Sequence, residues 1–138
     1  MKLSTLLRMT PLLLAPFVVS ACDEMAPEEG HHPHSAKLFV GGTELTPDIV
    51  LVANGPVRVE VRFFAEDGDD ISDAIEVDHF TSLTFTPGTL ATVTDVLGAS
   101  FQKNLAVGAP ATGTVTIGYG HDAAADEESF GPFTVTVR

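Results

Sequence analysis

The sequence holds one cysteine, one tyrosine and no tryptophan among its 138 residues. A lone cysteine excludes a disulfide within the chain, so packing alone must hold the folded part together. Basic residues are also scarce, because 7 lysines and arginines stand against 19 acidic residues, a formal net charge of −12. This charge repels phosphate backbones and argues against a nucleic-acid partner. Cations or a basic protein surface suit it better, and the alternative is that it serves only solubility.

The sequence patterns of common catalytic sites are missing as well. There is no G-x-S-x-G, no H-E-x-x-H, and no glycine-rich phosphate loop placed before a helix. Carboxylates occur throughout so acidic a chain, so a pair of them singles out no site. The sequence therefore predicts a protein that is not an enzyme.

The first residues have the layout of a leader for export. MKLSTLLRMTPLLLAPFVVSAC has a basic start and an apolar run that Pro11 and Pro16 interrupt. The run is too short for a membrane-spanning helix, which needs about 20 apolar residues. Its end, VSAC, resembles the lipobox of bacterial lipoproteins. The alternative is an ordinary cleavage site beside an unrelated cysteine.

The lipobox resemblance implies a location and a membrane attachment. Residues 1–21 would be a lipoprotein signal peptide, and Cys22 would carry the lipid. The protein would then be anchored to the inner or outer membrane of the cell envelope, facing the periplasm or the surface. Residues 22–36, CDEMAPEEGHHPHSA, are polar and proline-containing, which predicts an acidic, histidine-bearing tether.

Residues 37–138 read as a succession of short strands. The clearest is PVRVEVRFF, where Val57, Val59, Val61 and Phe63 alternate with charged residues. Seven or eight such runs are separated by turn signals every eight to twelve residues, and no segment is a convincing amphipathic helix. DGDDISDAIEVDHF reads as a loop with a short helical turn or an irregular strand. The pattern predicts an all-β fold, a single immunoglobulin-like Greek-key β-sandwich of about seven strands.

The later part of this region resembles a known family. LATVTDVLGASFQKNLAVGAPATGTVTIGYG is similar to the second half of the bacterial immunoglobulin-like domains found in invasins and other surface proteins. Residues 91–93 match the strand before the family's hairpin, and residues 108–117 match the glycine-led turn and the strand after it. The resemblance implies the same fold and a spacer, adhesive or accessory role.

Histidines give the clearest candidate ligands. Imidazoles suit Zn²⁺, Cu²⁺ and Ni²⁺, and a polyproline-like arm returns to the same side every three residues. The first and last strands of an immunoglobulin-like sandwich can lie near each other, so the arm could meet the loop before the last strand. The sequence thus predicts a four-ligand zinc site made from the arm and that loop: either His31 or His32, with His34, His121 and Asp122.

A second resemblance supports a metal-handling role. The histidine-bearing start, the acidic loop after the long strand and the His-Asp pair near the last strand resemble small His-rich lipoproteins that accompany outer-membrane metal-uptake receptors. Asp126, Glu127 and Glu128 could accept hydrogen bonds from the metal ligands or could attract cations. His79 is expected to be a partly buried structural residue. The alternative is a polar tether and a turn histidine that bind nothing.

A calcium site is the other cation hypothesis. AEDGDDISD places several carboxylates on a glycine-bent loop, and Ca²⁺ takes six to eight oxygen ligands. The candidates are Glu66, Asp67, Asp69, Asp70 and Asp73. Their spacing departs from an EF-hand, and a solvated hairpin tip is the favoured interpretation.

Two functions follow from these features. The first is a lipid-anchored binding or accessory module of the envelope, which captures zinc through the histidine arm and the loop at His121 and serves an envelope protein. The second is a non-catalytic structural or adhesive surface module without a ligand.

Overall fold

The computed structural model describes residues 32–76 and 78–138. This part of the chain contains nine strands and one short helix. In chain order they are β1 (Ser35–Val40), β2 (Thr43–Glu44), β3 (Asp48–Leu51), β4 (Pro56–Phe64), α1 (Ser72–Ile75), β5 (Phe80–Thr86), β6 (Ala91–Val96), β7 (Ala99–Val107), β8 (Ala111–Gly120) and β9 (Glu128–Val137). The predicted signal peptide, the predicted lipidation site Cys22 and the predicted zinc ligand His31 lie outside the described residues.

The strands form two sheets packed face to face. One sheet has the order β2-β1-β4-β7-β6, and the other has the order β3-β9-β8-β5. All described pairings are antiparallel except the one between β3 and β9, which is parallel. If β1 and β3 are taken as two halves of a first strand shared between the sheets, the order is that of an immunoglobulin domain, with A-B-E-D facing A′-G-F-C.

Alternating burial along the strands produces the core. On β4 the side chains of Val59, Val61 and Phe63 are at most 1% exposed, while the residues between them reach solvent. Phe63 lies at the centre of an aromatic cluster, with its ring centroid 4.9 Å from those of Phe101 and Tyr119. Phe63 and Tyr119 lie near the ends of β4 and β8, where the β4–β5 and β8–β9 connections begin.

The predicted all-β sandwich is confirmed, with more strands than the seven expected. The two-residue β2 and the division of the first strand between the sheets account for the difference. Strand β1 begins at Ser35, two residues before the expected start of the domain, and α1 is the helical turn that the sequence left as one of two alternatives. Within the described residues, no helix is long and apolar enough to cross a membrane.

Candidate metal centre

Two connections meet at one end of the sandwich. The connection between β4 and β5 ends at His79, and the connection between β8 and β9 begins at His121. Strands β5 and β8 are antiparallel neighbours, with Phe80 opposite Gly120 and Thr81 opposite Tyr119. The next pair in this register is His79 and His121, just beyond the ladder. In antibody variable domains the corresponding connections, B–C and F–G, carry binding loops.

The two imidazoles lie against each other and above the aromatic core. Their ring centroids are 4.0 Å apart, with a 47° angle between the ring planes. The other neighbour of His79 is Tyr119, whose ring stacks on it at 4.8 Å and 12°. The side chain of His79 is 12% exposed, whereas that of His121 is 56% exposed. His79 is thus partly buried, as expected, but its ring belongs to a histidine pair that the sequence analysis missed.

A carboxylate completes a group of three candidate ligands. Asp78, His79 and His121 each offer a ligand atom, and these atoms all lie within 4.8 Å of one another. Asp78 Oδ1 is 2.7 Å from Nδ1 of His79, but it is not aligned for a hydrogen bond. Nδ1 of His79 is therefore buried without a hydrogen-bond partner in the part of the chain that the structure describes. Buried polar atoms without partners are rare, and an ion near this nitrogen would resolve the deficit.

Glu127 fixes the orientation of His121. The Nδ1 atom of His121 is 2.8 Å from Oε2 and 3.0 Å from Oε1 of Glu127, and the backbone N–H of His121 donates to the same carboxylate at 3.1 Å. When the carboxylate accepts a hydrogen bond from Nδ1–H, the other ring nitrogen, Nε2, has no proton and is free to bind a metal ion. Carboxylates commonly hold metal-binding histidines in this way.

The loop that carries His121 is braced by its own polar groups. Oδ1 of Asp122 accepts hydrogen bonds from the backbone N–H groups of Ala124 and Ala125, at 2.8 and 3.3 Å. Ala125 is 2% exposed and has φ of +48°, a left-handed conformation that non-glycine residues seldom adopt. A side chain at Gly118 would collide with the carbonyl of Ala125. Asp122, a predicted ligand, thus has a structural contact here.

His32 and His34, the two arm histidines within the described residues, lie near the start of β9 and the end of β4. Nδ1 of His32 is 3.4 Å from Oε1 of Glu128, and the backbone N–H of His34 donates to the carbonyl of Phe64 at 2.8 Å. Neither histidine belongs to the group formed by Asp78, His79 and His121. Of the predicted zinc ligands in the described ranges, the structure therefore places only His121 in a three-ligand cluster.

The acidic loop after β4 shows a different use of carboxylates. Oδ1 of Asp67 accepts from the backbone N–H of Asp69, and Oδ1 of Asp70 accepts from both the backbone N–H and the hydroxyl of Ser72. Across residues 32–76 and 78–138, the predicted calcium ligands do not form a group of three within ligand distance. The two bonded aspartates shape the turn.

Hydrogen bonds and burial at the site shift three pKa values. The side-chain hydrogen bond with Glu127 raises the pKa of His121 above its ordinary value. The backbone N–H of His121, followed by its ring, lowers the pKa of Glu127. Burial, followed by the negative charge of Glu128, raises the pKa of Tyr119 to about 12. Tyr119 is therefore a neutral phenol beside His79 at physiological pH.

These observations define an immunoglobulin-like β-sandwich with an imidazole–carboxylate cluster at one end. No family model matches the chain, and no curated protein matches it. A similar solved structure is that of domains 4 and 5 of the S-layer protein SbsC, with 14% sequence identity and a TM-score of 0.45. The match covers 77% of this chain and 53% of the other, so this chain spans about half the length of that structure.

Proposed function

We propose that this chain is a lipid-anchored, non-catalytic accessory domain of the bacterial envelope that captures a transition-metal ion, zinc foremost. The observation that carries the proposal is the meeting of His79, His121 and Asp78, with a buried ring nitrogen that lacks a hydrogen-bond partner in the described part of the chain. The proposed ligands differ from those predicted, because His79 and Asp78 take the place assigned to the arm and Asp122.

The chemistry of the donors supports zinc. Two imidazoles and one carboxylate form a borderline donor set that binds Zn²⁺ well and hard cations such as Ca²⁺ poorly. Three protein ligands leave a fourth position of a tetrahedral ion open. His121 and Asp78 are largely exposed, so an ion can reach the site from solvent and leave it again. An open, exposed site suits capture and transfer to an envelope protein better than permanent structural binding.

The remaining features suit such a role. The VSAC sequence and Cys22 would hold the domain at a membrane, and the net charge of −12 attracts cations. The likeness to bacterial immunoglobulin-like domains agrees with an accessory module. The competing function, a structural or adhesive module without a ligand, requires that His79 serve only to pack against Tyr119 and His121.

Titration of the full chain in mild detergent with Zn²⁺ tests the proposal. We expect about one ion per chain, bound with a dissociation constant near micromolar or below by calorimetry. The chain has one tyrosine and no tryptophan, so its intrinsic fluorescence reports on Tyr119, which stacks on His79. This fluorescence should change at the same stoichiometry.

Variants separate the two possible ligand sets. His79→Ala and His121→Ala should each abolish tight binding, whereas a triple alanine variant at His31, His32 and His34 should retain it. Weak binding of several ions that depends only on the arm would contradict the proposed site. No binding at all would favour the structural module.

A further inference from the structure

A lysine lies on the core-facing side of β7. Burial alternates along this strand, so Phe101, Lys103 and Leu105 all point inward. Lys103 is 5% exposed. An ammonium group removed from water is strongly destabilising unless an anion accompanies it. The proposed metal site makes no use of this charge.

The anion that accompanies Lys103 is itself well hydrated. Nζ of Lys103 donates a hydrogen bond of 2.6 Å to Oδ1 of Asp95, which lies opposite it on β6. The side chain of Asp95 is 86% exposed, whereas that of Lys103 is 6% exposed. A hydrated carboxylate loses little when it turns toward solvent, but the buried ammonium still needs an anion. Another carboxylate could therefore replace Asp95.

A cleft of about 230 Å³ leads to this lysine. It opens between β5 and the β6–β7 hairpin, and its mouth is apolar, with Phe80 39% exposed and Leu97 fully exposed. Val96 and Ala99 add further apolar surface. Sites for drug-sized ligands usually measure about 300–1,000 Å³, so the volume fits a smaller molecule.

We infer that this cleft, the Lys103 cleft, binds a small organic carboxylate. The carboxylate takes the place of Asp95 at Nζ, and a short hydrocarbon chain lies against Phe80 and Leu97. The carboxylate would accept a charge-assisted hydrogen bond from Nζ in place of the one that Asp95 accepts, and such bonds are the stronger kind. The net charge of −12 repels anions at long range, but physiological salt screens that repulsion beyond about 8 Å.

The Lys103 cleft adjoins the metal site without depending on it. Phe80 follows His79 in the chain, and Ala123, which also lines the cleft, is two residues beyond His121. No atom of the cleft is a proposed metal ligand. Metal-free protein therefore provides a test whose outcome says nothing for or against zinc binding.

Hexanoate and its uncharged analogue hexanamide are suitable probes. We expect hexanoate, titrated into the metal-free full chain, to shift the amide resonances of Gly98, Ala99 and Lys103 with a millimolar dissociation constant. Hexanamide should bind about tenfold more weakly, because it lacks the charge. Lys103→Met keeps most of the apolar stem and should abolish the difference between the two probes.

Asp95→Asn provides the second variant. It removes the competing carboxylate, so hexanoate should bind several-fold more tightly than to the unaltered chain. This variant keeps the lysine in place and so tests the proposal even where Lys103→Met fails to fold. Hexanoate binding that is equal in all three proteins, or absent from both the unaltered chain and Asp95→Asn, would overturn the inference.

Discussion

The connection between β4 and β5 contains two acidic stretches, the acidic loop and the segment at Asp78 and His79. Their carboxylates have different contacts. In the acidic loop, residues 66–73, Asp67 and Asp70 accept hydrogen bonds from the backbone of the same loop. At the end of the connection, Asp78 lies beside an imidazole nitrogen that has no hydrogen-bond partner in the described part of the chain. Both stretches hold residues that bind cations in other proteins.

The difference shows that residue type alone does not make a site. A carboxylate that already bonds to its own backbone must give up that bond before it can take an ion. The buried Nδ1 of His79 has only a poorly aligned 2.7 Å contact with Asp78, so an ion that binds there would displace no hydrogen bond. The carboxylates of Asp67 and Asp70 are therefore used within their own loop, whereas we propose that Asp78 and His79 bind an ion.

Substitutions at the histidine pair should reduce zinc affinity strongly, whereas substitutions in the acidic loop should not. His79→Ala or His121→Ala should weaken zinc binding by at least about a hundredfold, or ~2.8 kcal/mol. Each variant removes one of only three protein ligands. Asp69→Asn, a carboxylate change in the acidic loop, serves as the control and should leave the affinity unaltered. Calorimetry on the four proteins measures this, and a matching loss in Asp69→Asn would remove the distinction between the stretches.

A substitution in the acidic loop should lower the free energy of unfolding and leave zinc affinity unchanged. Ser72 is buried, and its hydroxyl oxygen accepts a 2.8 Å hydrogen bond from the backbone N–H of Phe63. Ser72→Ala leaves that buried N–H without its partner, which should cost about 1–3 kcal/mol in urea unfolding. Zinc affinity should stay the same. The exposed Ser129→Ala is the control, with an expected change within about 0.5 kcal/mol.

A smaller effect on metal affinity is expected at Glu127. Glu127→Gln keeps a hydrogen-bond acceptor near His121 but removes the charge that holds its Nδ1 proton. Changes at residues that orient metal ligands usually reduce affinity about 10- to 100-fold, and the conservative variant belongs at the lower end. Glu66→Gln in the acidic loop is the matched control. Unchanged zinc affinity in Glu127→Gln would show that His121 needs no such support.

The smallest expected effect is the pH dependence of the metal-free fold. The raised pKa of His121 gives stability that is present below the ordinary histidine pKa and is lost as pH rises through the raised value. The lowered pKa of Glu127 gives stability that is present above the ordinary glutamate pKa and is lost as pH falls through the lowered value. Both contributions are complete between about pH 4.3 and 6.5.

Glu127→Gln should remove this contribution. The difference in melting temperature between the unaltered chain and the variant should be greatest inside that window and should shrink on either side. Since the pair is exposed to solvent, the difference is small and should fall further in high salt. A difference that is constant with pH would mean that His121 and Glu127 do not interact in solution.

Much of the fold could be predicted because apolar residues occur at every second position along its strands. Val59, Val61 and Phe63 face the core as the period of two requires, and so do Val115, Ile117 and Tyr119 on β8. Strand β2 was missed because two exposed residues leave no periodic signal. The sequence could not decide between a helical turn and an irregular strand at residues 72–75. Ser72 is held there by a hydrogen bond from the backbone of Phe63, which local helix propensity does not reveal.

The histidine pair could not be predicted in the same way. His79 and His121 are 42 positions apart, and they meet only because β5 pairs with β8 in one particular register. No sequence pattern near His79 predicts that β5 pairs with β8 in this register. The sequence instead drew attention to the arm, where three histidines lie close together. In the described part of the chain, the group of three candidate ligands comes from opposition across two strands and not from clustering along the sequence.

Anomalous diffraction at the zinc absorption edge, from crystals of the full chain grown with one equivalent of Zn²⁺, would locate the bound ion. We expect one strong peak at about 2.0–2.1 Å from a ring nitrogen of both His79 and His121, with Asp78 as a further ligand. A peak on the arm histidines alone, or none near His79, would contradict the proposed site.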